Sequence, residues 1–130
     1  MNADGSIIIY NHDLEYRRRE LKSKREKVLW TQMLTKWGFM LSPDGNFCVC
    51  LTESHGPNYI DVYVNSKNQH WHIDHPITRD WFARWRIENN GTIYAGSGVY
   101  AYRHGRYVWA TPGEAAPKGL RITPEQFNGP

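Results

Sequence analysis

The chain is poor in cysteine and has no long hydrophobic run. Only two of its 130 residues are cysteine, Cys48 and Cys50. On a strand, residues two apart point to one face, and a disulfide between them would strain the backbone. We therefore expect two free thiols. No apolar stretch approaches the roughly 20 residues of a membrane-spanning helix, and residues 1–10 lack the basic and apolar regions of a secretory signal. These absences predict a cytoplasmic protein, or one of the host cytoplasm if a phage encodes it, with no membrane partner.

A phosphate-binding glycine loop is also missing. The segment from Gly96 to Gly98 is too short for one, and no helix is predicted to follow it. Aromatic residues are abundant instead, with six Trp and eight Tyr, which predicts an aromatic core. The length suits a single domain over residues 1–130.

The N-terminal part predicts one strand and one long helix. The β-branched run over residues 6–10 is typical of a strand. Asn11 suits a helix N-cap and Gly38 suits the stop, which predicts a charged helix over about residues 12–37. The second half of this helix has a broad apolar face. Its first half has only a thin apolar stripe, and a homodimer could form there.

The following residues predict hairpins. Turn sequences at residues 42–45, 65–68, 90–91 and 104–105 divide a β-hairpin body over about residues 39–110. In one register, Asp61 lies opposite His72 and Val62 opposite Trp71, which sorts apolar and polar side chains onto separate faces. A second short helix is expected near residues 78–85, and residues 111–130 are expected to form an extended C-terminal tail. The predicted fold class is α+β, with the long helix packed on an antiparallel β-meander.

The excess positive charge lies in one segment. The formal net charge is +3, and residues 13–27 hold seven basic and four acidic residues, so the rest of the chain is neutral. In a helix, Asp13–Arg17, Glu15–Arg19 and Glu20–Lys24 would form pairs four residues apart. Four basic side chains would then be freer to contact phosphates: Arg18, Lys22, Arg25 and Lys27.

The last hairpin combines aromatic and basic residues. One face carries Tyr100, Tyr102, Tyr107 and Trp109, and the tip carries Arg103 and Arg106. If exposed, this face could stack on bases at ~1–3 kcal/mol per base. If covered, it is core, which is the favoured interpretation because Trp and Tyr are the main core material. The two arginines should be exposed in both cases.

A histidine-rich string suggests a metal site. His70, His72 and Asp74 share one face of a predicted strand, and His75 follows, so they could hold zinc or another divalent metal. In part, the string resembles the zinc loop of metallo-β-lactamase-fold hydrolases, the metal site of nucleases with a tyrosine nucleophile, and HNH endonucleases. Pro76 stands where the first family needs glycines, and no family is assigned. The other interpretation is a solvated face on which His72 contacts Asp61.

The sequence favours a binding function over catalysis. We expect a small non-catalytic accessory or regulatory protein that binds nucleic acid, or a protein complex associated with it, through the basic helix and the aromatic-arginine surface. Its small size and lack of a family motif suggest a phage or mobile-element product. One alternative is a metal-dependent hydrolase or nuclease built on His70, His72, Asp74 and His75. Another is a protein-binding inhibitor without nucleic-acid contact.

Overall fold

The protein is built from antiparallel β-strands in three sheets. The computed structural model describes residues 1–12, 15–31, 35–53, 58–75, 85–95 and 98–125. Within these ranges there is no α-helix, and the single helical element is a 3₁₀ turn at Asn65–Lys67. The predicted α+β class is therefore wrong, because the segment expected to form the long helix consists of strands. The short helix expected near residues 78–85 falls almost wholly outside the described residues.

The first outer sheet replaces most of the predicted helix. It contains β1 (Ile7–His12), β2 (Glu15–Glu20) and β3 (Glu26–Thr31), in the order β1-β2-β3. Strand β1 confirms the strand predicted over residues 6–10. The helix face on which a homodimer was expected does not exist, since that stretch is β2.

A β-bulge in β3 explains the helix-like pattern. Tyr16 pairs with Trp30 and Arg17 pairs with Val28, so Leu29 is an extra residue in β3. Leu29 and Trp30 are both buried in the same cluster, whereas a regular strand would point one of them to each face. Because two adjacent residues are in the core, apolar and polar residues do not alternate as they do in a regular strand. The pattern therefore resembles that of a helix.

The central sheet contains five strands in the order β12-β7-β6-β5-β4. Its members are β4 (Thr35–Leu41), β5 (Phe47–Glu53), β6 (Asn58–Val64), β7 (Gln69–His75) and β12 (Arg121–Glu125). Trp37 pairs with Leu51 and Phe39 with Cys50, so Gly38 is an extra residue in β4 and not the end of a helix. The C-terminal segment, expected to be only an extended tail, supplies β12.

The hairpin formed by β6 and β7 has the predicted register. Asp61 lies opposite His72 and Val62 opposite Trp71. The polar face, however, is not solvated, because the first outer sheet packs on it. Asp61 is 4% exposed and His70 is 7% exposed. The central sheet is thus covered on both faces.

The second outer sheet packs on the opposite, aliphatic face of the central sheet. It contains β8 (Arg86–Ile87), β9 (Ile93–Ala95), β10 (Gly98–Arg103) and β11 (Arg106–Trp109), in the order β11-β10-β9-β8. His104 and Gly105 both have positive φ, as a type I′ turn requires. At the Asn90-Gly91 hairpin only Gly91 has positive φ, and the predicted turn is a three-residue loop closed by Glu88 and Thr92.

Hairpin connections from each of the three sheets lie at one end of the protein, which we call the turn end. It consists of residues 21–25, 42–46, 65–68, 88–92 and 103–106. Asn65 N donates to Asn46 O, which joins the two central turns. Asn89 Oδ1 accepts a hydrogen bond from Asp44 N, and Arg18 donates to Gly45 O. These contacts attach the β8–β9 turn and strand β2 to the β4–β5 turn.

Candidate functional site

The three consecutive arginines of β2 are neutralised within the protein. Arg17 pairs with Glu15 and Glu26, and Arg19 lies 3.1 Å from Glu26. Glu26 also accepts a hydrogen bond from the Tyr10 hydroxyl, and this bond is the largest cause that lowers the pKa of its carboxyl. The two ion pairs with Glu26 thus join β2 to β3. Glu15–Arg19, one of the pairs expected in the helix, is replaced by Glu15–Arg17 within β2.

Arg18 is a structural residue in this fold. Its side chain is 6% exposed, and it lies 3.1 Å from Glu20 Oε2. Nε and Nη2 donate to Gly45 O at 3.2 and 2.8 Å. The hydrogen bond from Arg18 lowers the pKa of the Glu20 carboxyl. A side chain buried in this way is not presented to a phosphate, so the expected role of Arg18 in binding has no geometric support.

The other predicted basic residues lie at or beside the β2–β3 turn. Lys22 and Arg25 are exposed, together with Lys24, in a turn where Lys24 has a φ of +59°. Lys27, at the start of β3, is half-buried, and its ammonium lies 4.8 Å from the centre of the Tyr63 ring. The β2–β3 turn therefore presents three cations to solvent, with Lys27 held against the body behind them.

The last hairpin presents a second group of cations at the same end. Arg103 and Arg106 are exposed, as predicted, on either side of the His104-Gly105 turn. The hydroxyl of Tyr102, the next residue back along β10, donates to Gln69 Oε1 at 2.8 Å, and Gln69 starts β7 at the turn end. The two basic turns therefore belong to opposite outer sheets, with the central sheet between them.

The turn end is strongly basic relative to the rest of the chain. Its residues include six basic side chains and two acidic ones, Asp44 and Glu88. Since the whole chain carries +3, the remaining residues sum to a slightly negative charge. Lys67, in the turn of the central sheet, lies between the two basic turns. The basic members are Lys22, Lys24, Arg25, Lys67, Arg103 and Arg106.

The aromatic face of the last hairpin is core. Tyr100 is fully buried and Tyr107 is 3% exposed, and the Tyr107 hydroxyl donates to Gly91 O. Tyr102 and Trp109 are partly buried against the same cluster. The favoured interpretation of this face is confirmed, and the four rings do not form an open stacking platform.

The histidine-rich string does not assemble a metal site in the described residues. His70 Nε2 lies 2.9 Å from Leu29 O; because a carbonyl only accepts, this nitrogen carries a proton. His72 Nδ1 lies 2.7 Å from Asp61 Oδ1, which is the predicted cross-strand contact. Within the described part of the chain, no group of three or more His, Cys, Asp or Glu is placed to hold a metal. Asp74 lies on the same face as His72, and for His75 only the backbone position is described.

Burial of His70 predicts a loss of stability in acid. Burial lowers the pKa of its imidazole, so below the ordinary value of about 6.5 the unfolded chain binds a proton that the folded protein does not. The free energy of unfolding should therefore fall as the pH decreases from about 7 toward 5. In urea titrations, His70→Gln should reduce this fall. His104→Asn, at an exposed turn with positive φ, is the control; an equal reduction in both variants would contradict the role of His70.

The cysteines offer no nucleophile. Cys48 and Cys50 are free and buried, as expected, and burial raises the pKa of the Cys48 thiol to about 12. A thiol that stays protonated is a poor nucleophile.

Two basic residues of the turn end were not singled out from the sequence. Lys24 was assigned to a helical pair with Glu20, but in the structure Glu20 contacts Arg18 and Ser23. Lys67 stands alone in the Asn65–Asn68 turn, where no charge pattern marks it. Counting charge over the predicted hairpin tips, rather than over one helix, could have found Lys67.

Comparisons with known proteins give no relative. No protein-family model matches the chain, and neither the curated proteins nor the solved structures contain a significant match. Across the described ranges, no helix has the length and apolar character needed to cross a membrane.

Proposed function

We propose that the protein is a small non-catalytic accessory or regulatory protein that binds nucleic acid through the turn end. The observation that supports this best is the position of two exposed basic turns, Lys22 to Arg25 and Arg103 to Arg106, on opposite sheets at one end. Arg17, Arg18 and Arg19 are neutralised by the protein's own carboxylates, whereas the turn end holds six basic residues against two acidic ones. Such a concentration attracts a polyanion and neutralises its phosphates.

The surface composition favours nucleic acid over a protein partner. Protein interfaces contain a central group of apolar or aromatic anchors. Of the large hydrophobic side chains that the structure describes, Met1 and Leu21 are the largely exposed ones. Leu21 stands alone among lysines and arginine in its turn. A phosphate contact needs no such anchor, and the asparagines of the central turns add polar groups of the kind that contact phosphates.

Binding of a labelled DNA duplex of about 20 base pairs, measured by fluorescence anisotropy over a salt series, tests this function. Each phosphate contact contributes about −0.9 to the slope of log affinity against log salt. Lys22→Ala/Arg25→Ala should therefore weaken binding and flatten the slope by about 2. Lys24, whose φ is already positive, is left unchanged so that the backbone of the turn is not altered.

The matched control removes the same charge elsewhere. Lys118 and Arg121 are exposed. In the β12–β7 ladder, Arg121 lies opposite Asp74, near the end of β7 that is farther from the turn end. Lys118→Ala/Arg121→Ala should leave the slope nearly unchanged. Equal effects of the two double variants would show that only total charge matters. Absence of binding at about 50 mM salt, where such contacts are strong, would refute the function and leave a protein partner as the explanation of the basic end.

A further inference from the structure

The buried aromatic residues restrict the kind of nucleic acid that the turn end can bind. Proteins that bind single strands combine a basic groove with aromatic side chains on which bases stack, at about 1–3 kcal/mol per base. Tyr102, the aromatic residue next to Arg103, is already in ring contact with Phe47 and Tyr107, with centroids at 5.3 and 5.1 Å. Its hydroxyl is bonded to Gln69.

No other described aromatic side chain compensates for this. Tyr107 lies on the far strand of the same turn and is buried. Beside the other basic turn, Lys27 covers the ring of Tyr63, which is buried. Among the Trp, Tyr and Phe residues whose side chains the structure describes, none is largely exposed. Splayed bases would therefore find cations at the turn end but no ring face to stack on.

The spacing of the two basic turns favours a stiff ligand. They belong to the two outer sheets, and packed sheets lie about 10 Å apart, so two layer spacings separate the turns by about 20 Å. A duplex has a persistence length of about 500 Å and presents one charge per about 1.7 Å of axis. It can meet both turns with phosphates that are already in place. A single strand would have to lose conformational entropy over the same span without stacking energy in return.

We infer that the ligand of the turn end is a double-stranded nucleic acid, contacted through its phosphate backbone and without reading of base sequence. This inference rests on the proposed function and specifies the class of ligand. The β2–β3 turn and the β10–β11 turn contact phosphates separated along the duplex, and Lys67 lies between them. Since phosphate contacts carry no direct sequence information, duplexes of unrelated sequence bind alike.

A competition between strand forms tests the inference with the wild-type protein. The same labelled DNA sequence is offered as a duplex and as a single strand, with a second duplex of unrelated sequence and an RNA duplex as further arms. We expect the DNA duplex to bind roughly tenfold or more tightly than the single strand at about 0.1 M salt, and the two DNA duplexes to bind equally. The RNA arm shows whether the backbone geometry of one duplex type is preferred.

The results of this competition distinguish a failure of the duplex inference from a failure of the proposed nucleic-acid function. Equal or tighter binding of the single strand would overturn the duplex inference while the nucleic-acid function stands. A large difference between the two DNA duplexes would overturn the claim that bases are not read. If neither strand form binds at low salt, the proposed function itself fails.

Discussion

Replacing Lys22, Arg25, Arg103 and Arg106 together with alanine should remove nearly all affinity for duplex DNA. At about 0.1 M salt, counterion release makes each phosphate contact worth roughly one order of magnitude in affinity. Losing four contacts should therefore weaken binding by roughly 10³- to 10⁴-fold and flatten the salt slope by about 4. Fluorescence anisotropy over a salt series measures both quantities.

The two halves of this variant show whether both turns hold one ligand. If one duplex spans them, Lys22→Ala/Arg25→Ala and Arg103→Ala/Arg106→Ala should each weaken binding, and their effects on the binding free energy should add, because the sites are far apart. If either pair alone leaves the affinity unchanged, its turn takes no part. All four side chains are exposed, so the thermal unfolding midpoint of the fourfold variant should stay close to that of the wild type.

The largest effect on stability is expected from Gly91→Ala. Gly91 has a φ of +90° and lies in the β8–β9 connection. A Cβ added there would lie 2.6 Å from the Phe47 ring and 2.8 Å from Tyr102 Cβ. The positive φ costs about 1–2 kcal/mol, and forcing apart a packed core costs about 1–3 kcal/mol more. The free energy of unfolding, measured in urea, should therefore fall by about 2–5 kcal/mol.

Gly105→Ala is a matched control for the backbone contribution. Gly105 has a φ of +75°, and a Cβ built there meets no atom within 4 Å. Its alanine variant should lose only the about 1–2 kcal/mol of backbone strain. Similar losses at both positions would mean that Phe47 and Tyr102 can move aside, and the packing between the central sheet and the second outer sheet would then be looser than the structure indicates.

The parts of the fold that could be predicted are the regular hairpins. In β6 and β7, apolar and polar residues alternate without interruption, so the pairing of Asp61 with His72 follows directly from the pattern. The His104-Gly105 turn was predictable because the register that it sets sorts the flanking side chains onto two faces, and the positive φ found at both residues suits a two-residue loop. Where a strand keeps its period of two, local sequence carries enough information to set the register.

In the first outer sheet, β2 and β3 could not be predicted, because two features imitate a helix. The bulge at Leu29 places two adjacent side chains in the core, and the charges of β2 fit helical pairs as well as pairs across strands. Glu26 contacts Arg17 and Arg19, which lie on the neighbouring strand and not at helical spacing. The choice between a helix and two strands depends on the central sheet, because the first outer sheet packs on its polar face.

The candidate site was predictable in composition but not in arrangement. Four of the six basic residues of the turn end were named from the sequence: Lys22, Arg25, Arg103 and Arg106. Their common location depends on how the outer sheets align with the central one, through contacts such as Arg18 to Gly45 O and Asp44 N to Asn89. The burial of Arg18 could not be foreseen, because it arises from the same tertiary contact.

The late position of β12 in the chain has a consequence for synthesis on the ribosome. β7 has β6 on one side and, on the other, only β12, which pairs with it from Arg121 to Glu125. At about 5–20 residues per second, the nascent chain spends several seconds with a complete β4–β7 meander and an open β7 edge. Such an edge is a template for pairing between chains, so this interval is when neighbouring nascent chains can join. After β12 has paired with β7, it forms the edge of the sheet. Its Pro124 has no N–H to donate to a further strand, which disfavours pairing at this edge.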